Sequence, residues 1–150
     1  ERIGGNCRLD ALQAAVLRVK LTHLEAWSDQ RRENAEWYDA RFAGHAQIVI
    51  PRVLNGSRHV YNQYVVRLHD RDGVRAQLQA AGIGTEIYYP IPLHLQGCFK
   101  GLGYEPGSLP ESEAAARESL ALPVFPGLTR YEMAYVADAL VAALDGGSAQ

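Results

Sequence analysis

The chain reads as an α+β domain, a small and mainly antiparallel sheet covered by helices with a long helix leading from the N-terminal side. Three observations predict it. Asp10 to Phe42 contains neither glycine nor proline. Tyr61–Leu68 and Gly84–Tyr88 carry β-branched and aromatic residues between short helical stretches. Met133, Val136, Ala137, Leu140, Val141 and Leu144 form one apolar stripe at helical spacing. Helix, strand, helix, strand, helix, strand, helix is an order that two packed layers accommodate.

Each element has its local reason. In the first helix Leu12, Ala15, Val16 and Val19, then Leu24, Trp27, Tyr38 and Phe42, recur at helical spacing. Unbroken, it would run on the order of 50 Å, against a radius of gyration of about 15 Å for a compact chain of this length. It must kink or project. Leu9, Leu12, Val16, Leu17, Val19 and Leu21 leave little polar face in its first half, which is expected to be covered by something outside this chain. Asn55-Gly56-Ser57 matches a glycosylation acceptor and reads better as a turn before the first strand. Asp70 caps a helix over Arg71–Ala81, with Val74 and Leu78 inward and Gly82 as its left-handed stop. Ser108-Leu109-Pro110-Glu111 is expected to be a capping box for a helix to about Leu120, Leu122–Phe125 an extended piece, and Thr129-Arg130-Tyr131-Glu132 the cap of the last helix. From Gly146 onward a frayed tail is expected.

Composition bounds the function. With 150 residues, 47% hydrophobic and 21% charged, one core of ordinary size is expected. A formal charge of −2 leaves no electrostatic footprint for nucleic acid. No apolar run is long enough for a membrane span, and the opening Glu-Arg-Ile-Gly-Gly-Asn lacks signal-peptide architecture, so the cytoplasm is the expected compartment. Cys7 and Cys98 are too few for a disulfide framework. His23, His45, His59, His69 and His94 are scattered without metal-ligand spacing, so no metal site is expected. Glu111 and Glu113 suit a helix N-terminus better than acid/base work. Arg31, Arg32 and Glu33 read as a solvated helix face.

The most distinctive stretch is Tyr88-Tyr89-Pro90-Ile91-Pro92-Leu93-His94-Leu95-Gln96. Prolines at alternate positions hold φ near −65° and keep their predecessors extended, so two phenols, an imidazole and a carboxamide are pre-oriented. Such a loop faces a ligand or is a connector whose aromatics cap a core. His59 and Tyr61, just ahead of the first strand, admit the same two readings. At the other end, Gly4-Gly5 delivers Asn6 and Arg8 immediately before the long helix, a pair suited to phosphate or carboxylate.

Taken in order, Gly-x-Asn-x-Arg-Leu-Asp-x-Leu-Gln-Ala-Ala from Gly4, Lys20-Leu21 with Trp27 and Arg31, Tyr-Pro-x-Pro-Leu-His-x-Gln from Tyr89, and Leu122-Pro123 with Phe125-Pro126 resemble the nucleotide-sugar aminotransferases of the DegT/DnrJ/StrS type. The resemblance runs through nearly all of the chain. It implies the small C-terminal domain of a pyridoxal 5'-phosphate (PLP) enzyme of the aspartate-aminotransferase fold, with 1–43 as the leading turn and connecting helix. It implies a homodimer in which Asn6 reaches the PLP phosphate of the neighbouring subunit and Arg8 lies near the same site. Tyr88, Tyr89 and His94, with His59 and Tyr61 as further candidates, would line the pocket for a nucleotide-linked keto sugar, and glutamate is the implied amino donor. The family often shows His-Tyr at the place where this chain has Tyr88-Tyr89, and the resemblance associates the Tyr-Tyr version with amination at the 3-keto position.

In that family the Schiff-base lysine, the aspartate facing the pyridine nitrogen and the stacking aromatic all precede the Gly-x-Asn-x-Arg turn. The N-terminal PLP-lysine domain is therefore expected to be absent from these 150 residues, no catalytic residue is assigned, and the piece alone is expected to bind no PLP and to be inactive. Neither Lys20 nor Lys100 sits in a context that suggests the buried amine imine chemistry needs. The alternative reading is a binding or dimerisation module of the same origin, without chemistry.

Overall fold

The computed structural model describes residues 9–147. The long helix is two helices, α1 (Ala11–Leu21) and α2 (Leu24–Phe42), parted at Thr22-His23. Thr22 Oγ1 donates to the Val19 carbonyl at 2.8 Å and the His23 amide to that of Lys20 at 3.0 Å, so side chain and tightened turn take over where the regular ladder stops. The expected kink and projection both occur. α2 buries Ala35, Tyr38 and Phe42, whereas α1 buries none of its residues.

The sheet is an antiparallel pair, β1 (Tyr64–Arg67) against β2 (Ser119–Leu122), with Tyr64 opposite Leu122 and Arg67 opposite Ser119. A single bridge extends it on each edge, Val49 to Arg67 and Glu86 to Ala121. The strand expected over Gly84–Tyr88 is thus one bridge, and the strand expected over Tyr61–Leu68 begins at Tyr64. Tyr61 has φ of 44°, a left-handed turn that no strand continues through.

Between the strands, α3 (Arg71–Ala80) is capped by Asp70, whose carboxylate accepts from the Gly73 amide at 3.2 Å, and Gly82 follows with φ of +75°. Two 3₁₀ turns (Leu93–Leu95 and Gly97–Leu102) lead to α4 (Pro110–Glu118). The expected Ser108–Glu111 capping box does not form. Helix α4 starts later, with Leu109 as its N-cap and Pro110 in the first turn, where a missing N–H costs nothing. Ser108 Oγ instead accepts from the Glu105 amide at 3.1 Å, and Glu113 turns back to the Gly107 and Leu109 amides.

The helix also ends earlier than expected, and β2 begins directly at Ser119. The cause is Arg71, 7% exposed, whose guanidinium donates to the carbonyls of Ala116 (3.1 Å) and Ser119 (3.0 Å). It satisfies acceptors that a helix end leaves open. The last helix, α5 (Arg130–Gly147), extends beyond Gly146, where a frayed tail was expected. It opens with the expected reciprocal cap: Thr129 Oγ1 accepts from the Glu132 amide at 3.2 Å, and the Glu132 carboxylate accepts from the Thr129 amide at 2.8 Å.

The core lies where α2, α3 and α5 cover the ribbon. Met133, Ala137 and Leu140 of the predicted stripe are fully buried against Val74, Leu78, Val66 and Leu120. Tyr38 stacks on Phe42 (5.6 Å between centroids) and leans on Tyr64 (5.1 Å). Both phenols are tied off, Tyr38 donating to the Pro123 carbonyl at 3.1 Å and Tyr64 to Asp39 at 2.7 Å. Tyr38 and Asn34, which donates to the Phe125 carbonyl at 3.2 Å, hold α2 on the segment that follows β2, and the Tyr64–Asp39 bond ties α2 to β1.

Candidate functional site

Three hollows share residues along one face. The largest, about 630 Å³, lies between α1 and α2 and is lined by Leu17, Leu21, Leu24, Trp27, Arg31 and Asn62 among others. Arg31 and Asn62 also line a second hollow of about 470 Å³, which runs over Gly84–Glu86 and Ala121–Phe125 to Tyr88. Tyr88 in turn belongs to a third, also about 470 Å³, between the proline loop and α4. Tyr88 and Tyr89 stand at its mouth, 41% and 71% exposed, and Ser112, Ala115 and Ala116 form its far wall.

The proline loop is built as its sequence suggests. Pro92 is extended (φ −58°, ψ 144°) and the chain then tightens into the 3₁₀ turn at Leu93–Leu95. The two phenols meet edge to face, 5.9 Å apart, and the peptide between them is cis. Gln96 also lines this cleft.

His94 is not beside the phenols. It is buried, its Nε2 3.1 Å from Glu113 Oε1 and its ring edge-on to Tyr104 at 5.8 Å. It lines a smaller hollow of about 310 Å³ with Phe99, Leu102, Tyr104 and Leu109, on the other side of Leu93 and Ser112, which line both. Desolvation acts to raise the Glu113 carboxyl, but the hydrogen bond from His94 and the amides of Gly107 and Leu109 together outweigh it, so the group is held below its ordinary range. The carboxylate is an acceptor only, and Nε2 of His94 therefore carries the proton.

His59 and Tyr61 form a local pair beside the largest hollow. His59 Nδ1 accepts from the Tyr61 amide at 3.0 Å and the rings lie 4.2 Å apart. Tyr61 is buried in the core, while its neighbours Val60 and Asn62 line the groove. Arg31, read from sequence as a solvated face, instead looks into two hollows. The signal was available, since it lies four residues after Trp27, on the helix face that carries the apolar groove.

Asn6 and Arg8, expected at the cofactor phosphate, lie outside the described residues. Lys20 and Lys100 are both exposed. Imine chemistry calls for a desolvated amine, so neither fits as the anchor of an aldehyde cofactor. Among the described residues no three His, Cys, Asp or Glu side chains gather as a metal site, and no helix is long and apolar enough to cross a membrane.

Residues 1–141 match the DegT/DnrJ/EryC1/StrS aminotransferase family. The chain belongs to that family. The protein of Geobacillus stearothermophilus named pleiotropic regulatory protein is 46% identical over 139 residues, 91% of this chain and 37% of that protein. The dTDP-3-amino-3,4,6-trideoxy-alpha-D-glucose transaminase of Streptomyces venezuelae is 40% identical over 140 residues, 93% of this chain and 37% of the enzyme. The fold superposes on the crystal structure of S. venezuelae DesV in complex with a ketimine intermediate with a TM-score of 0.86 and 37% identity, covering all of this chain and 39% of that one. The family member therefore spans well under half the length of the relatives it matches.

Proposed function

We propose that this chain is the C-terminal portion of a PLP-dependent aminotransferase that moves an amino group from glutamate to the 3-keto position of a sugar carried on a nucleotide. The observation that carries this reading is the placement of Tyr88 and Tyr89 at the mouth of an open cleft, in a chain that belongs to this aminotransferase family and is 40% identical to a transaminase named for a 3-amino sugar. Bound PLP supplies an electron sink for the donor's α-proton to leave. The residues described here serve the acceptor. The phenols of Tyr88 and Tyr89 hydrogen-bond sugar hydroxyls, and the prolines hold them oriented before the substrate arrives. Arg31, facing the hollow that Tyr88 shares, offers a fixed positive charge suited to the diphosphate. The complete protein acts as a homodimer, with Asn6 and Arg8 at the cofactor phosphate.

The test uses the full-length protein. Glutamate should bleach the visible absorption of the bound cofactor, and a nucleotide-linked 3-keto sugar should restore it. Bleaching by no amino acid, or restoration by keto acids but by no keto sugar, overturns the reading. Residues 1–150 alone, incubated with PLP, gel-filtered and reduced with borohydride, should retain no label. Stoichiometric labelling of Lys20 or Lys100 would show that the piece holds the cofactor.

A further inference from the structure

Tyr88 and Tyr89 cannot orient a substrate unless the loop that carries them is held against α4, the other wall of their cleft. Ile91, Pro92 and Leu93 of the loop and Ala115 and Ala116 of α4 line that cleft together. Among the described residues the hydrogen bond that joins the two walls is His94 Nε2 to Glu113 Oε1, 3.1 Å, with only 5% and 13% of the two side chains exposed. The same carboxylate accepts from the Gly107 amide through both oxygens, at 2.8 and 3.0 Å, and from Leu109 at 3.3 Å. One half-buried carboxylate thus closes three segments on each other: the 3₁₀ turn behind the phenols, the Gly103–Leu109 loop and the first turn of α4.

We propose that Glu113 is a positioning residue for the acceptor-sugar pocket, acting through His94, and that His94 serves as its partner and makes no contact with substrate. The imidazole is spent on Glu113 and turned into a separate hollow with Tyr104 and Phe99. Its position in the chain gives it leverage. Between Tyr89 and His94 stand four residues, Pro90, Ile91 and Pro92 with restricted backbones and Leu93 in the 3₁₀ turn, so fixing the imidazole fixes the direction from which the phenols enter the cleft. The kinetic half of this inference rests on the aminotransferase reading above. The mechanical half does not.

Both halves are tested in the full-length protein by comparing Glu113→Ala, His94→Ala, the double variant and His94→Gln, whose amide donates a proton as Nε2–H does. By hydrogen exchange, Glu113→Ala should speed the amides of Tyr88–Leu109 tenfold or more while those of α5 stay within twofold. In kinetics, Glu113→Ala should raise KM for the keto sugar about tenfold, with the glutamate half-reaction far less affected. The double variant should be no worse than either single change, and His94→Gln should recover most of the loss. Unchanged exchange over Tyr88–Leu109 overturns the latch. Additive effects, or a KM raised by His94→Ala alone, would return His94 to direct contact with the sugar. A fall of both half-reactions together would reduce the pair to general stability. Wild-type protein that never transaminates removes the aminotransferase reading, and the exchange experiment still decides the latch.

Discussion

Tyr88 and Tyr89 differ from the other tyrosines in what their hydroxyls have to do. Tyr38 and Tyr64 are fully buried, with their protons committed to Pro123 and Asp39. The cleft phenols are open to whatever enters. Tyr89→Phe in the full-length protein should therefore leave the melting temperature and the cofactor's visible spectrum unchanged. It should lower kcat/KM for the keto sugar roughly 5- to 150-fold, the loss of one hydrogen bond of about 1 to 3 kcal/mol. Wild-type kinetics in this variant would assign the loop to packing. The buried pair makes a separate prediction. Burial pushes both hydroxyls well above the ordinary value of 10.0, and for Tyr64 the hydrogen bond to Asp39 adds to it. Above pH 10 the unfolded chain releases these protons and the folded chain keeps them. The unfolded state then binds fewer protons, so stability is complete below pH 10 and falls as pH rises through it, by about 1.4 kcal/mol per pH unit for each phenol. Denaturant melts from pH 9 to 11 should show that slope, reduced in Tyr38→Phe.

Among the elements, the boundary between α4 and β2 depends on a side chain from elsewhere in the chain. Arg71 reaches from the first turn of α3 to the carbonyls of Ala116 and Ser119, and its Nε also meets Asp72 at 2.6 Å. Arg71→Met keeps much of the stem's packing and strips both carbonyls of their donor. Two buried acceptors left open should cost about 2 to 4 kcal/mol. Because α4 is also a wall of the cleft, the variant should loosen the substrate site before the fold melts globally. Chemical denaturation and exchange of the Ala115–Leu122 amides measure the two effects. A change in stability under 1 kcal/mol would mean that water takes over Arg71's role.

For the molecule as a unit, the decisive feature is that its covering is incomplete. Leu12 is 78% exposed and Val19 67%, and with Val16, Leu17 and Leu21 they give α1, which buries none of its residues, a large exposed apolar surface flanked by Leu9 and Leu24, beside a groove of about 630 Å³. A patch of that kind on a freely soluble chain marks an interaction surface. Residues 1–150 expressed as an isolated piece should self-associate or bind a hydrophobic dye, and substituting Leu12 and Val19 with Glu should abolish both. Light scattering from a monodisperse monomer at high concentration, with no dye bound, would show that α1 folds back in solution.

The α+β class, the apolar stripe of α5, the Asp70 and Thr129 caps and the Gly82 stop were all legible in the sequence, because each rests on neighbours within a turn or two: periodicity, a side-chain oxygen three residues ahead, a φ that glycine accepts. The extended course of the loop that carries Tyr88 and Tyr89 was legible for the same reason, since alternate prolines restrict it locally, whereas the cleft needs α4 as its second wall. What sequence reading missed came from contacts far apart along the chain. Arg71 ends α4 across more than forty residues. His94 was expected at the sugar pocket, and its hydrogen-bond partner Glu113 lies nineteen residues away. Hydrogen-bond partners across such distances are chosen by packing, and packing is settled only when β1 and β2 pair and the helices close over them.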